Sequence, residues 1–151
     1  MAKGERAERS KEGGPSINSS DEPQVYIYLT ADEVLVLYTE LIRIEGMDPR
    51  SFVRDWNLLE SALARPKHAA YYENADVETQ AATLLWGIVR NHPFVDGNKR
   101  IAHLTAVTFL EVNGYALTAN EDQEFELMIG VAAGKPLDEV EHWIRDHFLP
   151  K

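Results

Sequence analysis

Two helix-length stretches of apolar periodicity flank a short break holding both a proline and a glycine, and this constrains the fold more than any other feature of the chain. In the first stretch Ala82, Leu85, Trp86 and Val89 recur at helical spacing behind Asp76, a residue suited to capping, which predicts a helix over 77–90. In the second, Ile101, Leu104, Thr105 and Thr108 predict a helix over 98–112, with Asn113-Gly114 as a left-handed terminator. Between them Pro93 drives His92 out of helical geometry, and Gly97 permits a backbone conformation that a side chain disfavours. The outcome is a tight helix–loop–helix whose loop opens onto a helix N-terminus.

A helix N-terminus presents amide N–H groups without intrahelical partners and a partial positive charge, and so attracts anions. The run here is His92-Pro93-Phe94-Val95-Asp96-Gly97-Asn98-Lys99-Arg100. Lys99 and Arg100 stand in the first turn, where their charge opposes the helix dipole, and an anionic ligand such as phosphate resolves that conflict. Asp96 offers a hard oxygen to a magnesium ion bridging phosphate oxygens. His92 is the natural base, since an unperturbed imidazole titrates near ~6.5 and can accept a proton from an attacking hydroxyl. From physics alone this is a phosphate-binding loop with a candidate base.

The run also resembles the Fic/Doc signature, His-x-Phe-x-(Asp/Glu)-Gly-Asn-(Gly/Lys)-Arg, and meets every fixed position of it. The likeness extends from about Leu29 to Phe148, and within the family the chain looks most like the death-on-curing (Doc) toxins. The resemblance implies that His92 is the general base, Phe94 the apolar anchor of the loop, and Asp96 the Mg2+ ligand. It implies that Gly97 and Asn98 cradle phosphate and that Arg100 grips it in a bidentate fork. Lys99 marks the subclass. Nucleotidyl-transferring Fic enzymes have glycine there, whereas Doc-like members have lysine, an inverted ATP and transfer of the γ-phosphoryl group. The implied activity is thus a toxin-like protein kinase acting on a Ser/Thr hydroxyl, with elongation factor Tu as target and stopped translation as the result. The alternatives are AMP transfer through the same loop and a catalytically silent antitoxin-binding module.

Two departures bear on this reading. Many Fic enzymes carry a second arginine where this chain has His103, which favours the Doc-like subclass. The self-inhibitory pattern Ser/Thr-x-x-x-Glu-(Gly/Asn) is not met by Leu41-Ile42-Arg43-Ile44-Glu45-Gly46, so restraint falls to a cognate antitoxin with a segment that folds on binding.

Length and composition suit one domain: 151 residues at 44% hydrophobic content bury a single core, over residues 24–151, behind a polar tail at 1–23 that reads as disordered. There is no cysteine, which excludes thiol chemistry and disulfides. No apolar run approaches the ~20 residues that span a bilayer, and no signal-peptide core is seen, so a cytoplasmic protein without membrane contact is expected. A net charge of −10 disfavours direct nucleic-acid binding and points to a protein substrate, although Arg50, Arg54, Arg65, Lys67, Lys99 and Arg100 offer a local basic cluster.

The remaining elements complete an all-α domain of about six helices. A strand is expected at Val25–Leu29, then a capping box at Thr30–Glu33 opening a helix over 31–45 that turns Val34, Leu37, Tyr38 and Leu41 inward. A second helix over 51–64 ends before Pro66. Residues 66–75 read as a non-helical flap, and the family implies a short β-hairpin there, with Lys67, His68, Tyr71 and Tyr72 near the target. Past the signature come a strand at 115–118 and a helix from the Asn120–Gln123 cap to Ala133, closed by Gly134. The final helix starts at Pro136 and carries the stripe Leu137, Val140, Ile144 and Phe148.

Overall fold

The computed structural model describes residues 25–151, and the tail expected over residues 1–23 lies outside them. The described residues form six α-helices and one two-stranded antiparallel sheet. In order these are α1 (Ala31–Ile42), a 3-10 turn (Pro49–Phe52), α2 (Trp56–Glu73), α3 (Val77–Asn91), α4 (Asn98–Val112), β1 (Tyr115–Leu117), α5 (Glu121–Ala132), α6 (Leu137–Asp146) and β2 (Phe148–Pro150). The expected all-α class holds. None of the described helices is long and apolar enough to cross a membrane.

Local chemistry sets most helix starts. Thr30 and Glu33 close a capping box on α1, and Asn120 with Gln123 closes another on α5. Asp55 and Asp76 accept hydrogen bonds from Leu58 N–H and Thr79 N–H at the starts of α2 and α3. The central pair is α3 and α4. α3 buries Ala81, Ala82, Leu84, Leu85 and Ile88, and α4 buries Ile101, Ala102, Thr105, Ala106, Phe109 and Leu110. α1, α2, α5 and α6 pack around this pair.

Five expectations are corrected. The helix expected to end before Pro66 starts at Trp56 and runs through it to Glu73. Proline in a helix interior costs about 3 kcal/mol. Leu59, Ala62, Leu63, Pro66 and Ala69, however, form one buried stripe, and α2 packs most extensively on α3. Burial of that stripe outweighs the lost hydrogen bond. Residues 66–75 therefore form no hairpin, and Lys67, His68, Tyr71 and Tyr72 lie on the outer turns of α2. Tyr71 and Tyr72 are 79% and 76% exposed.

The segment 25–29 is no strand. Its partner is a side chain: Ile27 N–H donates to Asn113 Oδ1 (2.8 Å), and Asn113 Nδ2 donates back to Ile27 O (2.9 Å). One amide can imitate a single rung of a ladder and no more. α1 stops at Ile42 because Arg43 takes a left-handed conformation (φ 60°). Phe148, expected on the last helix, lies in β2, opposite Leu117 and against Tyr115 (ring centroids 5.3 Å apart).

Candidate active site

The loop between α3 and α4 is built from an inner and an outer side. α3 ends where His92 adopts a left-handed conformation (φ 53°, ψ 56°), its N–H still donating to Ile88 O at 3.0 Å. The chain then runs extended beside residues 52–55. Val95 N–H donates to Phe52 O (2.9 Å), and the Arg54 and Asp55 N–H groups converge on Pro93 O (2.6 and 3.2 Å). Arg54 also turns its guanidinium onto the end of α3, donating to His92 O (2.8 Å) and Asn91 O (3.0 Å). A cation at those free carbonyls complements the helix dipole. Asn91 completes the clamp by donating to Leu58 O at 2.9 Å.

Inside the loop, Phe94 is fully buried and stacked on Tyr38, with centroids 4.2 Å apart and planes 8° from parallel. The Tyr38 hydroxyl donates to Asp96 O at 2.9 Å. Burial pushes that phenol's pKa up, and the Asp96 charge adds to the effect while Arg100 opposes it, so the hydroxyl remains a donor. Asn98 is buried and brackets Phe94: its Oδ1 accepts from Phe94 N–H and its Nδ2 donates to Phe94 O, both at 2.9 Å. The Asn98 side chain therefore holds the loop through both its oxygen and its nitrogen, and its backbone N–H stands in the first turn of α4. Gly97 sits at φ 79°, and a Cβ there would stand 3.0 Å from Ile42 Cδ1, so both conformation and space favour glycine.

The outer side carries the polar chemistry. A cleft of about 420 Å³ is lined by Val89, His92, Val95, Asp96, Gly97, Asn98, Lys99, Arg100 and Ala132. All six polar or glycine positions singled out in the signature thus meet in one place. Phe94 lies beneath them, and Lys67, His68, Tyr71 and Tyr72 are absent from the lining. Among the described residues His92, Asp96, Lys99 and Arg100 join no ion pair. No side chain caps α4, whose first-turn N–H groups open onto this cleft. Asp96 Oδ1 accepts from Gly97 N–H (2.8 Å), and its second oxygen makes no hydrogen bond among the described residues. That exposed oxygen is a hard donor that could hold a magnesium ion taking its other ligands from phosphate and water, with the phosphates offsetting the charges of Lys99 and Arg100.

Neither the clamp from residues 52–58 nor the wall from α5 was foreseen from sequence. Arg54, Tyr38 and Asn91 act through backbone groups distant in sequence, and no spacing rule reveals such partners. The expected basic cluster is dispersed. Arg50 pairs with Asp32 (3.2 Å), Arg54 holds the loop, Arg65 lies over Trp86 and Lys67 lies over Tyr28, leaving Lys99 and Arg100 in the cleft. A second cavity of about 260 Å³ shares those two residues and is walled by His103, Glu121, Glu124, Phe125, Met128 and Ile129. His103 meets Glu124 of α5 across it, Nε2 to Oε1, at 2.9 Å.

The stretch of sequence that builds this loop and its flanking helices is matched by the model of the Fic/DOC family, over residues 28–110. The chain belongs to the Fic/DOC family. A curated relative described as Toxin Doc, from Mycolicibacterium smegmatis, is 47% identical over 72 residues, covering 46% of this chain and 55% of that protein. The chain therefore spans about half the length of the curated relative it matches.

Proposed function

We propose that this protein is a toxin-like protein kinase that transfers the γ-phosphoryl group of ATP to a Ser/Thr hydroxyl of a target protein, elongation factor Tu being the first target to test. The observation that carries the proposal is Lys99 in the first turn of α4, lining the same cleft as His92 and Asp96. A cation there supplies charge to a polyphosphate where the nucleotidyl-transferring relatives have only a backbone amide. A cleft of about 420 Å³ lies within the range of small-molecule sites.

In this reading the α4 N-terminus, Lys99 and Arg100 hold the phosphates and offset the charge that develops in transfer. Asp96 would hold magnesium, whose contribution is to neutralise phosphate oxygens. His92 removes the proton from the target hydroxyl as its oxygen bonds to the γ-phosphorus. The bond from that phosphorus to the bridging oxygen breaks, and ADP leaves. In this reading a cognate antitoxin provides restraint, and the protein acts in the cytoplasm.

The test uses purified protein, magnesium, elongation factor Tu or a bacterial lysate, and ATP labelled separately at the α- and γ-phosphates, with His92→Ala as control. His92-dependent transfer of γ-label supports the kinase. Transfer of α-label would make the protein an AMP transferase despite Lys99, and Lys99→Gly would then raise that activity. ATP binding without transfer of either label, unchanged in His92→Ala, would leave a silent binding module.

A further inference from the structure

We infer that the face of α3 adjoining the cleft, centred on Trp86, is a docking surface for an acidic segment of the partner protein whose hydroxyl enters the cleft. Val89 lines the cleft, and Trp86 lies one turn earlier on the same helix face. Arg65 of α2 and Arg90 of α3 both place their guanidinium carbons over the indole, 5.6 and 5.3 Å from its centroid. Lys135 follows α5 and gives its carbonyl to Trp86 Nε1–H at 3.1 Å, while its side chain crosses Gly130 and reaches Glu139 only at 3.5 Å.

Two guanidiniums therefore lie over one tryptophan in a chain of net charge −10, and Lys135 meets the same ring through its carbonyl. Among the described residues Arg65 and Arg90 meet no carboxylate, and the buried Nε of Arg65 has no hydrogen-bond partner. Attraction to an indole uses the face of a guanidinium and leaves its N–H donors open. Arg90 also complements the dipole at the end of α3, but that role consumes no donor either. The closest approach of Arg65 is built into α3: a Cβ on Gly87 would stand 2.7 Å from Arg65 Cδ, so glycine at 87 admits the side chain. Forked donors around an apolar ring suit peptide carboxylates flanked by apolar groups. The two guanidiniums partly cover the indole, which argues against a stacked nucleobase.

That a segment docks here stands on the patch alone; its delivery of a hydroxyl to His92 rests on the proposed transfer activity. The test titrates a fluorescein-labelled oligo-glutamate peptide into the full chain at low salt. Anisotropy and the Trp86 indole N–H resonance are followed. Arg90 is exposed, so Arg90→Glu and Arg90→Gln spare the core. Binding should weaken about tenfold or more in Arg90→Glu, and less in Arg90→Gln. It should fade as salt is raised and persist in a Lys99→Ala/Arg100→Ala variant. Unchanged affinity in Arg90→Glu, no binding by the native chain, or loss confined to the cleft variant without movement of the Trp86 signal would each overturn the proposal. In the labelled-ATP assay, Arg90→Glu should raise KM for the protein target about tenfold and leave KM for ATP unchanged. A native chain that binds peptide at Trp86 yet transfers no label would remove the transfer reading and leave the docking surface standing.

Discussion

The two sides of the loop from His92 to Arg100 come from one short run of chain and yet are opposites. Phe94 and Asn98 face inward, are 0% and 5% exposed, and are tied to Tyr38 and to each other. His92, Asp96, Lys99 and Arg100 face outward, are exposed, and join no ion pair among the described residues. Groups meant for a ligand stay unsatisfied only if other groups fix the backbone that carries them. Positioning and chemistry are therefore separable, and variants on the two sides should fail in different ways.

The largest effect should come from the inner side. Phe94→Ala empties a fully buried ring site and should cost about 3–5 kcal/mol in urea unfolding, with activity lost in step. Retained stability would mean that the stack on Tyr38 does not hold the loop. On the outer side, His92→Ala should lower transfer about 10²- to 10⁴-fold without loss of stability. His92→Gly sharpens the contrast: relief of the left-handed conformation should raise stability by about 0–1 kcal/mol after the entropy of glycine is set against it, while activity still disappears. A clear fall in stability would place His92 on the structural side. Asn98→Ala is intermediate, since it strands the buried N–H and C=O of Phe94 and should cost about 1–3 kcal/mol, with only a partial loss of nucleotide affinity.

The smallest effect lies outside the loop, at the start of α3. Burial alone would raise the Asp76 carboxyl, but hydrogen bonds from Thr79 N–H and Oγ and the charge of Arg145 outweigh it and hold the group below its ordinary value. A carboxyl lowered in the folded state stabilises above its unfolded pKa of ~3.9, and that contribution is lost as pH falls through the folded value. Asp76→Asn keeps a capping oxygen and removes the titration. The variant should therefore be less stable than the native protein at neutral pH, and the gap should close as pH falls below about 4, where acid unfolding of the native protein is the steeper.

Where local chemistry decides, reading the chain was sufficient. The caps at Thr30, Asp76 and Asn120 mark true helix starts, and 98–112 matches α4 at both ends. The six polar or glycine residues of the cleft were named because they are neighbours in sequence, so one turn of chain delivers them together. Local rules failed at Pro66, where a stripe buried on α3 overrides proline's preference, and with it fell the placing of Lys67, His68, Tyr71 and Tyr72. They failed again at Ile27, where a side-chain amide 86 residues away takes the place of a strand.

The sequence by itself determined the helix–loop–helix, the polar groups on its outer lip and the family to which they belong, because each depends on interactions within a few residues. Only the tertiary structure decided how the loop is held. Arg54, Tyr38 and the α5 wall reach it from other elements, Asn91 ties the end of α3 to Leu58 of α2, and Asn98 is turned inward onto Phe94. Buried backbone groups must be paired and buried rings must be packed, and which partners meet those needs is settled by the fold as a whole.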